Sequence, residues 1–169
     1  MQVLTNTVTT LRSEAMSKLT ALRKIKKSQI ERFFAERFGD IQVLSDSQDV
    51  KNMLGALSEY HVTVNASDNE RYDVTTAEYK KLWADNSNYL NDYVKTYGYY
   101  DMFIICAEHG HVMYSATKED DLGANLKRGE LRESGLADAW RKCLDKKEPV
   151  IVDFEPYAPS KGQPASFIA

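Results

Sequence analysis

The chain is short of the residues that would fix a fold or a reaction by themselves. It has two cysteines in 169 residues, Cys106 and Cys143. Two do not make a disulfide framework. Neither stands in a Cys-x-x-Cys or a Cys-x-x-Cys-His, which argues against zinc ribbons, thioredoxin chemistry and covalent haem. Both read as small buried hydrophobes. No apolar stretch approaches the roughly 20 residues of a membrane span, and no signal peptide is visible. A Gly-x-Ser-x-Gly elbow is missing, and neither cysteine has an adjacent histidine. Gly123, Gly129 and Gly135 are too scattered to cradle a phosphate. No catalytic residue is therefore assigned, and an enzyme is not expected. The net charge of −3 argues against nucleic acid as a partner.

Glycine and proline are also missing from Gln2 to Phe38. Apolar residues recur there at Val8, Leu11, Ala15, Leu19, Leu22, Ile25, Ile30, Phe33 and Phe34, mostly three or four apart. That spacing predicts one helix of about 55 Å, longer than a small domain is wide. A second copy of the same helix is the expected partner. Lys18 and Gln29 interrupt a strict heptad, so a regular coiled coil is not expected. Arg23, Lys24, Lys26 and Lys27 read as a solvated face. Gly39 and Asp40 predict a break, and residues 1–45 are expected to form one long dimerisation helix.

Residues 46–169 read as a separate α+β domain. A helix is expected over Ser47–Glu59 and a polar loop over His61–Tyr72. Thr75-Thr76-Ala77-Glu78 has capping-box form and opens a helix to about Thr96, weakened at Asp85, Asn86 and Ser87. Met102–Cys106 and His111–Ser115 make a hairpin around Glu108-His109-Gly110. An irregular loop covers 118–133. Ser134 caps a helix to about Lys147, ended by Pro149. Val150–Phe154 and Ala165–Ala169 are further strands joined by a turn-rich stretch from Pro156 to Pro164. The order implies an antiparallel sheet with flanking helices, and a parent protein that continues past Ala169 with another strand.

Nine of the ten tyrosines lie between Tyr60 and Tyr114, and tyrosines suit sites that are part apolar and part polar. The candidate ligand-binding residues are Tyr79 and Trp83 on a helix, Tyr114 and Ser115 on the hairpin, and Asp153 and Tyr157 at the third strand. Asp153 interrupts an apolar strand; it is either a buried carboxylate facing a ligand donor or a solvated residue on an edge. Tyr157 either lines a pocket or closes the core. His109 and His111 straddle Gly110, and alternation puts both on one side, as some metal sites require. They sit at a turn with no further ligand identifiable, and His61 is isolated, so no metal site and no cofactor is assigned. Glu119, Asp120 and Asp121 lack EF-hand spacing and read as a solvated loop.

Several segments, in order, resemble the periplasmic sensor region of bacterial methyl-accepting chemotaxis proteins. They are Tyr99–Ile105, Gly110–Ala116, Asp121–Leu126, Ser134–Trp140 and Phe154–Ser160. The resemblance implies a PAS-like (Cache) sheet with flanking helices and a homodimer joined through the N-terminal helix. It also implies a periplasmic domain of an inner-membrane protein, anchored by spans outside this sequence. A small polar metabolite such as a carboxylate is the ligand expected. The alternative is a sensor of the same fold that feeds a membrane histidine kinase or a cyclic-dinucleotide enzyme. Relatives that bind amino acids carry an Arg-x-Trp-Tyr element; Trp83 here has no such arginine, which argues against an α-amino acid.

Overall fold

A computed structural model describes residues 2–64, 66 and 71–169, with side chains from Thr7 onward. The chain divides into two compact units, Met1–Gly39 and Asp40–Ala169.

Helix α1 runs from Gln2 to Asp46 without a break. The expected interruption at Gly39 and Asp40 does not occur. One glycine costs a helix only about 1 kcal/mol, and with no proline nearby the backbone ladder continues. In the first unit Val8, Leu11, Met16, Leu19, Leu22, Ile25, Ile30 and Phe33 are all more than half exposed. No helix among the described residues is long and apolar enough to cross a membrane.

The second unit is mixed α+β. Its helices are α2 (Gln48–Thr63), α3 (Ala77–Asn86), α4 (Asn88–Tyr97) and α5 (Gly135–Lys146). Its strands are β1 (Phe103–Ile105), β2 (Val112–Ser115), β3 (Ile151–Tyr157) and β4 (Gln163–Ile168). They form two antiparallel ribbons, β1 with β2 and β3 with β4, rather than one hydrogen-bonded sheet. Pro156 and Pro164 pair across the second ribbon, so the expected long connector shrinks to a turn at 158–162.

Side-chain caps set the helix starts. Ser47 accepts from the Val50 N–H and Ser134 from the Ala137 N–H. The α3 cap is Thr76, which accepts from Tyr79 N–H, one residue later than the Thr75–Glu78 box implies. Asp73 holds Thr75 instead, accepting from its backbone N–H and its hydroxyl. Ser87 separates α3 from α4 where the polar run weakens helix propensity. The loop expected over 61–72 lies partly outside the described residues, at 65 and 67–70. Its first residues belong to α2.

Two hydrophobic cores meet at the β1–β2 ribbon. Ile104 and Tyr114 face one, with Met53, Leu57, Tyr60, Tyr72, Tyr79 and Leu90. Phe103, Ile105 and Val112 face the other, with Leu126, Leu136, Trp140, Tyr157 and Phe167. A ribbon buried on both faces explains its unbroken apolar reading.

Candidate metal centre

The hairpin turn is built around Gly110. The Cys106 N–H donates to the His111 carbonyl at 2.9 Å, and the Gly110 N–H returns to the Cys106 carbonyl at 2.9 Å. Gly110 sits at φ +75°, where a β-carbon would also meet Lys127 N at 3.0 Å. This left-handed residue lets the chain turn between His109 and His111 while both rings stay on one side. The segment 123–126 runs beside the start of β2. Leu126 N–H donates to Gly110 O and Val112 N–H to Ala124 O.

His61 is not in a loop but in the last turn of α2, where the buried face of Met53, Leu57 and Tyr60 fixes its direction. It reaches both hairpin histidines. Ring centroids are 5.0 Å from His61 to His109, 5.1 Å from His61 to His111 and 5.9 Å from His109 to His111. One ligand atom from each ring lies within 4.8 Å of the others. The tightest pair is His61 Nε2 and His111 Nδ1, at 2.9 Å. Tyr72 stacks on the rings of His61 and His111 and anchors the group by donating its hydroxyl to Leu57 O. Cys106 Sγ stands 3.4 Å from His109 Nδ1.

Protons in this cluster are placed by Asn125. Its Oδ1 accepts from the Lys127 and Arg128 N–H groups, both at 2.9 Å. The amide is thereby oriented, and its Nδ2 donates to His111 Nε2 at 3.2 Å. A neutral His111 then carries its hydrogen on Nδ1 and donates it to His61 Nε2. His111 is fully buried. Burial, then the neighbouring rings of His111 and His109, hold the His61 imidazole below its ordinary pKa. A neutral His61 imidazole keeps the lone pair that a transition metal requires.

The six residues chosen from sequence lie elsewhere. Tyr79, Tyr114, Ser115 and Tyr157 are buried and bonded within the chain. Tyr79 donates to Met113 O, Tyr114 to Asn91 Oδ1, Ser115 to Asp101 Oδ2 and Tyr157 to Asp121 Oδ2. Trp83 stacks on Tyr114 and carries the Lys118 ammonium 3.2 Å from its ring centre. Asp153 is exposed and accepts only from its neighbour's Phe154 N–H among the hydrogen bonds described. Tyr79, Trp83, Tyr114 and Ser115 form one cluster on the β1–β2 ribbon; Tyr157 belongs to the other core. The acidic run is not uniformly solvated either. Asp120 is exposed but Asp121 is fully buried, and its Oδ1 has no partner among the described residues.

The sequence reading missed His61 because its contact with His111 spans 50 residues. The one local hint was the His-Gly-His spacing. Comparisons with protein-family models, with characterised proteins and with solved structures return no match.

Proposed function

We propose that this chain is the sensory region of a bacterial membrane receptor of the chemotaxis-transducer type. Its α+β unit is a PAS-like (Cache) receiver on the periplasmic side, and α1 is the output and homodimer contact. The observation that carries the reading is α1 itself. It leaves eight large apolar residues exposed over Val8–Phe33, then runs on through Leu44, which is buried in the core of the receiver. A helix with an apolar stripe and nothing of its own unit to cover it is suited to a partner helix. It is joined to a receiver that contains a cluster of three histidine rings, His111 buried and His61 and His109 partly exposed.

The input is assigned to the histidine cluster rather than to the tyrosines chosen from sequence, whose polar ends are already bonded within the chain. Sedimentation velocity tests the output half. The chain is expected to be a dimer, and Leu19→Ser with Leu22→Ser and Ile25→Ser a folded monomer. A wild-type monomer at high micromolar concentration would end the reading.

A further inference from the structure

We propose that His61, His109 and His111 bind a late first-row divalent cation, with Zn2+ the reference ion and Cys106 the fourth donor, and that Asn125 keeps this binding labile. The inference names the ligand of the input site and rests on that placement of the input.

The geometry fits such an ion. With Zn–N near 2.05 Å and Zn–S near 2.3 Å, a tetrahedral ion sets its nitrogens about 3.3 Å apart and a nitrogen and sulfur about 3.6 Å apart. The observed His61–His111 and Cys106–His109 separations are 2.9 and 3.4 Å. All three histidine donors fall within 4.8 Å of one another. The three histidines make up the cluster, and Cys106 joins it through its approach to His109 Nδ1. Imidazole with thiolate selects borderline ions over Mg2+ or Ca2+, which take oxygen.

Asn125 supplies what distinguishes a sensor from a structural site. To ligate through Nδ1, His111 must carry its proton on Nε2. Asn125 presents an N–H to Nε2, because its oxygen is held by two backbone N–H groups. Metal binding therefore moves one proton from Nδ1 to Nε2 against a donor, and takes a second from the Cys106 thiol to solvent. The first step opposes binding; most metal-bound histidines instead donate their outer N–H to an acceptor. The protein thus holds the ring in the tautomer that favours release.

Asn125→Asp reverses this. One carboxylate oxygen keeps the two backbone bonds while the other accepts the His111 Nε2–H. Zn2+ and Co2+ titrations of the full chain, followed by calorimetry and by Co2+ absorption, test it. Wild type is expected to take one ion, with tetrahedral visible bands and a near-ultraviolet thiolate band. Cys106→Ser loses the thiolate band and binds more weakly, and an unchanged affinity removes Cys106 from the donor set. His61→Ala, at a partly exposed helix end, weakens binding by at least about 100-fold, beyond the usual outer-shell effect. Cooperative melting of the metal-free variant shows that it folds, although His111 Nδ1 loses its His61 partner. Asn125→Asp tightens binding about 10–100-fold. Ala107→Asp adds the same charge on the turn without reaching Nε2, and changes affinity no more than about fivefold.

No saturable uptake, or uptake indifferent to His61→Ala, overturns the site. An Asn125→Asp affinity equal to or weaker than wild type overturns the role of Asn125. Uptake as described in a chain that stays monomeric supports the site while refuting the receptor reading.

Discussion

Asp121 offers a sharp test of the packing. Its carboxyl is fully buried; Oδ2 accepts from the Tyr157 hydroxyl at 2.9 Å and Oδ1 has no side-chain or backbone partner among the described residues. Burial pushes its pKa up to about 6, the Tyr157 hydrogen bond works against the rise, and Asp101 and Glu119 add to it. The ordinary value is 3.8. The folded state therefore keeps a proton that the unfolded chain releases. Stability from this group is fully present below pH 3.8, falls as pH rises between 3.8 and 6, and stays lost above that. At 1.36 kcal/mol per unit the loss is about 3 kcal/mol. For a domain of this size that is roughly 10 °C in Tm.

Asp121→Asn removes the titration. Its amide oxygen can still accept from Tyr157, but its nitrogen is then buried without an acceptor, which costs about 1–3 kcal/mol at every pH. The variant is therefore less stable than wild type at pH 4 and equal to it or better at pH 7.5. Thermal melts across that range, subtracting variant from wild type, isolate the group from other carboxylates. A difference that stays flat from pH 4 to 7.5 would refute the assignment of a proton to Asp121.

Three further substitutions probe the frame around the histidines. Gly123→Ala places a β-carbon 2.6 Å from Tyr72 O at φ +82°, so it should destabilise by about 3 kcal/mol or more in urea unfolding. Ser134→Ala removes the α5 cap and should cost about 1 kcal/mol, with Cys106 and the histidines undisturbed. Leu57→Ala opens a cavity behind Tyr72 and should cost about 2–5 kcal/mol in the same assay.

Much of the fold was legible because its signals are local. Ser47 and Ser134 cap helices where a polar residue precedes an apolar period, and β1 and β2 flank Gly110 as the hairpin pattern predicts. Gly39 misled, since a helix tolerates one glycine when its neighbours propagate the ladder. Prolines 156 and 164 misled in the opposite direction; each is tolerated within a two-stranded ribbon, where one side of the backbone has no ladder to join. The site was hardly legible at all. Neither His61 nor Asn125 carries a signal within its own segment, and each acquires its role from a ring brought to it by the fold. Asp121 shows the same limit. Three acidic residues in a row look alike in sequence, yet Gly123 turns the chain so tightly against Tyr72 that one of them is enclosed.

Joining the cation site to α1 makes a further demand that can be measured. His61 lies near the end of α2, and only Ser47 separates the start of α2 from the end of α1. Helix α2 is 16 residues, about 24 Å, with Met53, Leu57 and Tyr60 buried along one face. A rod so packed passes a shift at His61 to Ser47 rather than absorbing it. A ligand moves such an equilibrium only by its differential affinity for the two arrangements. Coupling is also reciprocal: whatever factor the dimer adds to Zn2+ affinity, Zn2+ adds to dimer affinity. Transducing couplings are typically about 5–150-fold. Zn2+ should therefore shift the dimer dissociation constant within that range. The Leu19, Leu22 and Ile25 serine variant should show the same factor, in either direction, in its Zn2+ affinity relative to wild type. A factor of one in both measurements would refute the relay through α2 and leave the three-histidine site standing as a binding site without output.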